Sequence, residues 1–200
     1  EPNICHNNII TLRGCDKFDV GDKSCEVISK NMERDVLLEW TKLIELHDPD
    51  IIIGYNIFGF DYEFMFQRSK ETGCVSEFLK LSRDRDHISK KENKGFDSGS
   101  DIQIMNTKVM LASGEYDLKY FKMAGRLQID MYSYFRRDFN LPSYKLDDVA
   151  GQFISDDIKK VMHVDHATFG PITELYSQNL MGLHVGDYIH IELGGFTSDY

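Results

Sequence analysis

Asp61, with Asn56 and Phe60 just ahead of it, stands where a carboxylate could do chemistry. The three residues Ile51, Ile52 and Ile53 are β-branched in a row, the pattern of a short strand buried on both faces. Gly54 ends that run, Asn56 turns the chain polar, and a helical pattern begins near Tyr62. Asp61 therefore falls just beyond the carboxyl end of a strand, where open α/β sheets carry their ligands. A carboxylate there can hold a hard divalent cation. It can equally cap backbone N–H groups at a helix start and complement the helix dipole. Taken alone, Asp61 favours the cap, and Phe60 alone favours core packing.

Other candidates are weaker. Asp130 closes the strand pattern Leu127–Met131 and reads as a helix-capping acid, with a metal ligand as the alternative. His163 and His166 lack matching partners and read as a surface loop. Cys5, Cys15, Cys25 and Cys74 contain no C-x-x-C pair, so neither a zinc site nor a disulfide framework is expected. Reduced cysteines in an intracellular compartment are the plain reading.

The elements that must position Asp61 alternate between strand and helix. Asn8–Leu12 and Cys25–Ser29 read as strands around a polar turn at 19–23. Residues 32–47 read as a helix with Val36, Leu37, Trp40, Leu43 and Ile44 on one face, Asn31 as N-cap and Pro49 past its end. A second helix spans about Phe60–Thr72, is closed by Gly73, and sends Phe64 and Met65 into the core. A short helix is expected at 77–81, and a polar mobile loop at 83–101. A hairpin then turns at 112–115 with 116–121 as its return arm. Helices follow at 131–139 and, with Ser143 as N-cap, at 143–153. After 155 the pattern changes: a helix at 172–178 and a strand pair turning at Gly186 and Asp187 are expected. The whole implies an α/β or α+β sheet fold.

Two hundred residues, 42% of them hydrophobic, suffice for one core plus a subdomain. No apolar run of about 18 residues is present, so no transmembrane helix is expected. The chain begins at Glu1 without a leader pattern, which argues against a secreted protein, and both ends read as cut. A net charge of −10 excludes a surface that grips nucleic acid everywhere. Residues 119–145 are the exception, with Lys119, Lys122, Arg126, Arg136, Arg137 and Lys145 against Asp130 and Asp138.

Asp48, Asp50, Gly54, Tyr55, Asn56, Phe60 and Asp61 together resemble the second exonuclease motif of family B DNA polymerases. A second block matches as well: Gly125–Asp130, Phe135–Phe139 and Ser143–Ala150 are similar to the scaffold that follows that motif. The wording is nearest to the delta-type polymerases of large nucleocytoplasmic DNA viruses. The resemblance implies a ribonuclease H-like exonuclease fold with a mixed central sheet, incomplete here, over 1–155, and a truncated β-rich insertion over 156–200.

What the resemblance implies chemically is proofreading: hydrolysis of the last nucleotide of a single-stranded 3′ end by two divalent ions about 4 Å apart. Asp61 would be catalytic and a metal ligand, while Asn56, Phe60 and Tyr55 would contact DNA. Magnesium is the expected ion, with manganese as a substitute. The family's Asp-Ile-Glu motif would lie before residue 1 and its Tyr-x-x-x-Asp motif beyond residue 200, so the 200-residue chain alone is expected to be inactive. Tyr134 to Asp138 and Tyr144 to Asp148 fit the latter formula but lie inside the scaffold block, and read as decoys.

The parent would be a DNA-directed DNA polymerase acting on primer-template and deoxynucleoside triphosphates. A sliding clamp is a candidate partner, a membrane is not, and the setting is the host nucleus or a cytoplasmic viral replication site. A stand-alone 3′–5′ exonuclease and a non-catalytic DNA-binding module of the same fold are the rivals.

Overall fold

The computed structural model describes residues 6–17, 19–20, 23–84, 88–89, 102–111, 114–180 and 182–191. Strands and helices alternate in the first half. β1 (Asn7–Leu12), β2 (Asp19–Val20) and β3 (Lys23–Lys30) lead to α1 (Glu33–His47) and β4 (Ile51–Gly54). A π-helical turn (Ile57–Asp61) runs into α2 (Tyr62–Glu71), followed by α3 (Val75–Phe78). The second half holds β5 (Met105–Leu111), β6 (Gly114–Tyr120), β7 (Leu127–Asp130), α4 (Met131–Asp138), α5 (Leu146–Phe153), β8 (Lys160–His166) and β9 (Gly170–Tyr176).

The chain is mixed α/β, as its strand and helix periods imply, but its described strands do not join into one central sheet. They form four small ones, ordered β1-β3-β2, β4-β7, β5-β6 and β8-β9. β1 runs parallel to β3 and β4 parallel to β7, while the β5–β6 and β8–β9 pairs are antiparallel. The three isoleucines of β4 are thus not buried on both faces. Ile51 and Ile53 are 51% and 60% exposed, and Leu127, opposite Ile51, is 57% exposed. With β7 as its one partner strand among the described residues, this ribbon covers only the face that carries Ile52.

The core lies under α1, α2 and α3. Leu37, Tyr62, Phe66, Cys74, Phe78, Leu79, Leu81, Phe121 and Met123 are its buried members. Trp40 stacks on Phe78 with ring centroids 5.7 Å apart, and Phe78 meets Phe121 edge-on at 5.6 Å. α1 presents part of the expected stripe, Leu37 with Trp40 and Ile44, and Leu38 packs on the core where Val36 and Leu43 were expected. It adds a polar member, Thr41, whose hydroxyl donates to the Phe78 carbonyl at 2.9 Å. That bond satisfies a carbonyl at the end of α3 and explains a buried threonine.

Several boundaries differ from the sequence expectation. Met32, not Asn31, occupies the N-cap of α1, and no side chain caps it. The short helix starts at Val75, two residues before Glu77. Much of the expected 83–101 loop lies outside the described residues, as does the 112–113 turn. Ser89 is fully buried, donating its N–H to the Leu79 carbonyl at 2.9 Å, so that end of the segment packs on the core. Residues 172–176, expected to be helical, belong to strand β9, because β8 offers an alternating partner in register. His163 and His166 accordingly lie on a strand rather than in a loop, and the strand pair expected over 183–193 shows turns without strands in its described part, 183–191, while 192–193 lie outside the described residues. α5 begins at Leu146 with Lys145 as N-cap, and the Ser143 hydroxyl instead bonds the Asp148 carboxylate.

Candidate nuclease site at the carboxyl edge of the β4–β7 ribbon

β4 and β7 are clamped at both ends. At the entering end, Asp48 holds the left-handed C-cap of α1 (φ 43°), and its carboxylate accepts from Arg83 Nε at 2.8 Å and Arg126 Nη1 at 2.7 Å. Arg83, then Arg126, hold that carboxyl below the ordinary aspartate range. Arg83 also reaches Asp50 at 2.7 Å, and Leu127 N–H donates to the Asp50 carbonyl at 2.9 Å. Asp48, Asp50 and Arg126 of the two sequence blocks are thus a strut that aligns the strands.

At the leaving end the strut is Asp130. Its carboxylate, 5% exposed, accepts three backbone N–H groups: Asn56 at 2.7 Å, Phe58 at 3.0 Å and Tyr132 at 3.0 Å. The third bond is the helix cap on α4 expected from sequence. The first two cross from β7 to the turn after β4 and fasten it. Asn56 needs that fastening because it is a non-glycine residue at φ 60°. Buried and holding three backbone N–H groups, Asp130 is engaged in the fold.

The fastened turn continues as π-helix, a rare geometry enriched at functional sites. Gly54 and Gly59 allow it. A Cβ on Gly54 would meet Ile57 Cγ2 at 2.4 Å, and one on Gly59 would meet Asn56 Oδ1 at 2.2 Å. The Asn56 amide is thereby folded onto the Gly59 backbone. Since helical geometry starts at Ile57, Asp61 is already inside it (φ −62°, ψ −44°) and caps nothing with its side chain. Asp61 is half-buried, and its carboxylate makes no hydrogen bond or ion pair to a described residue. The structural role most natural for this acid is absent.

Phe60 is 60% exposed and lies nearly parallel to Phe64, itself 54% exposed, with ring centroids 5.8 Å apart. Phe64 does not enter the core as the sequence suggested, whereas Met65 packs against it. The i, i+4 spacing of the two rings on one helix face was the available signal. Tyr55 is committed differently. Its hydroxyl donates to the Tyr144 carbonyl at 2.5 Å, its ring meets Tyr132 edge-on at 5.7 Å, and burial pushes its pKa up. Tyr55 and Asn56 line a cavity of about 450 Å³ with Arg136, Ser143, Tyr144 and Lys145. Asn56, Gly59 and Asp130 also line a neighbouring cavity of about 380 Å³. Asp61 lines neither.

The remaining sequence candidates are locally satisfied. Asp138 pairs with Arg137 Nε at 2.8 Å, and Asp148 with the Ser143 hydroxyl. His163 Nδ1 meets Thr173 Oγ1 at 2.9 Å, and His166 Nδ1 accepts from Thr168 N–H at 3.2 Å. Among the described residues, no group of three or more His, Cys, Asp or Glu side chains could hold a metal ion. Two hard cations close together need several carboxylates, so Asp61 by itself does not make such a centre.

Residues 1–149 match the model of the DNA polymerase family B exonuclease domain, and the chain belongs to that family. A DNA polymerase of Phaeocystis pouchetii virus is 43% identical over 198 residues, 96% of this chain and 18% of that protein. A DNA polymerase of Pyramimonas orientalis virus is 37% identical over 93% of this chain and 13% of its own length. The DNA polymerase delta catalytic subunit of Dictyostelium discoideum is 35% identical over 80% of this chain and 13% of its own. The chain therefore spans less than a fifth of these relatives.

Proposed function

We propose that this chain is part of the proofreading 3′–5′ exonuclease domain of a viral DNA-directed DNA polymerase. The observation that carries the reading is Asp61: a helical acid with no capping bond and no ion pair, one residue after an exposed aromatic stack. In this reading Phe60 and Phe64 receive a splayed terminal base, a contact worth about 1–3 kcal/mol per base and indifferent to its identity. Asn56 bonds sugar or phosphate, and Tyr55 walls the approach. Asp61 supplies one carboxylate to divalent ions, magnesium or manganese, which would activate water and stabilise the leaving oxygen. The chain alone, offering one such carboxylate, is inactive.

The ribonuclease H-like fold, the unit over 1–155 and the β-rich insertion over 156–200 belong to the same reading. The separate β8–β9 pair supports the boundary. The relatives' printed identities support a parent that uses primer-template and deoxynucleoside triphosphates during viral DNA replication, in the host nucleus or a cytoplasmic replication site. A sliding clamp is its candidate partner. No helix among the described residues is long and apolar enough to cross a membrane.

The test is Asp61→Ala in the full-length protein. Excision of a mispaired 3′ nucleotide should fall by at least about a hundredfold, or about 2.7 kcal/mol, while nucleotide addition stays near wild type. Unchanged excision would remove Asp61 from the site.

A further inference from the structure

Six basic side chains gather between residues 119 and 145, and the structure sorts them. Lys119 pairs with Glu63 at 2.5 Å, Arg126 with Asp48 and Arg137 with Asp138, while Lys122 is engaged elsewhere. Arg136 and Lys145 remain. Neither is paired with an acid among the described residues, and both line the 450 Å³ cavity beside Asn56 and Tyr55.

Arg136 is held without a counter-ion. Its guanidinium carbon lies 4.5 Å from the Tyr116 ring centroid, 4.8 Å from Tyr144 and 5.3 Å from Tyr132. One Nη1 hydrogen is donated to the Tyr132 hydroxyl at 2.5 Å, and the buried Nε has no acceptor among the described residues. Aromatic faces attract a cation but accept few hydrogen bonds, so the guanidinium keeps unused donors. Of the acids around it, Asp130 holds three N–H groups and Asp148 bonds Ser143, while Asp117, which lines the neighbouring cavity with Arg136, lies 3.9 Å from Lys108 Nζ. A fixed planar cation with free donors beside an open cavity suits a phosphate oxygen.

We propose that Arg136 and Lys145 form a phosphate-binding pair that grips the backbone of a single DNA strand as its 3′ end approaches Phe60, Phe64 and Asp61. The inference rests on reading the site as one for single-stranded DNA. It adds a grip at the cavity, on residues outside the Asn56–Asp61 segment. The pair contacts backbone and not base edges, so it holds any sequence, and its strength falls with salt.

The test measures binding of a labelled oligothymidylate of about five nucleotides, near the smallest single-strand site sizes, to the full-length protein in EDTA across a salt series. Arg136→Gln should weaken binding roughly tenfold. Arg136→Gln and Lys145→Gln should each flatten the slope of log affinity against log salt by about 0.7, the value for one phosphate on a single strand. Lys145 is exposed, so its variant decides the matter even if Arg136→Gln does not fold. Unchanged affinity and slope in Lys145→Gln and in any folded Arg136→Gln would overturn the proposal and leave Arg136 a staple for three tyrosines. An oligonucleotide displaced as readily by inorganic phosphate as by unlabelled strand of equal phosphate content would overturn the assignment to a strand. Excision in Asp61→Ala is scored separately. Lost excision with unchanged slopes sinks this inference alone, and retained excision with flattened slopes sinks only the reading of Asp61.

Discussion

Two acids leave the same edge of the β4–β7 ribbon and meet opposite surroundings. Around Asp130 the surroundings are committed: three backbone donors hold a buried carboxylate, and they come from two segments joined only by the fold. Around Asp61, residues 60 to 64 present two uncovered rings and a carboxylate with nothing to hold. Buried polar groups that are fully bonded fix a shape, and groups left unbonded in water are available for work. The first region is the mount, and in the proposed reading the second is the tool. The β8–β9 hairpin makes a third point of reference, with its register set locally and its residues exposed or half-buried.

The largest effect on stability is expected at the mount. Asp130→Ala leaves the Asn56, Phe58 and Tyr132 N–H groups without their acceptor, and a group stranded in this way costs about 1–3 kcal/mol. A loss of about 3 kcal/mol in denaturant unfolding, with excision falling alongside, is expected. A loss under about 0.5 kcal/mol would mean that the three bonds are replaced by water and that the turn needs no fastening.

Gly59→Ala addresses the link between mount and tool. The new methyl must displace the Asn56 amide, so excision of a mispaired end should fall several-fold while unfolding shifts by about 1 kcal/mol, the ordinary size of a single-site effect. Full excision in this variant would show that Asn56 does not act from its present position.

Tyr62→Phe is the smallest change. The Tyr62 hydroxyl is buried without a hydrogen-bond partner among the described residues, and burial, then Asp130 and Asp61, push its pKa up. Removing an unbonded buried hydroxyl should be neutral or stabilise by up to about 1 kcal/mol in thermal unfolding. A clear loss of stability would reveal a partner for that hydroxyl.

The proposed tool is marked more plainly in the sequence than the mount. Asn56, Phe60 and Asp61 stand out as candidates by type and spacing, and the β-branched run before them marks the strand β4. Asp130 reads as a helix cap, which it is. Its two bonds to Asn56 and Phe58 bridge 74 and 72 residues, beyond any local pattern. The π-helical turn starts three residues ahead of the apolar periodicity, where Asp130 holds the Asn56 and Phe58 N–H groups, so the local pattern carries no sign of it. Phe64 was misplaced because one more apolar residue on a helix reads as core, and only the open face of the fold leaves it outside. Residues 172–176 turned out as strand because β8 overrode a helical pattern too short to stand alone.

The central claim is that Asp61 is spare to the fold. Thermal and denaturant unfolding of Asp61→Ala beside wild type, in the same full-length protein used for excision, tests it most directly. The account predicts stability within about 0.5 kcal/mol of wild type, the ordinary range for a surface substitution. A loss of about 2 kcal/mol or more would contradict it, because Asp61 would then be holding the turn and not waiting for a substrate.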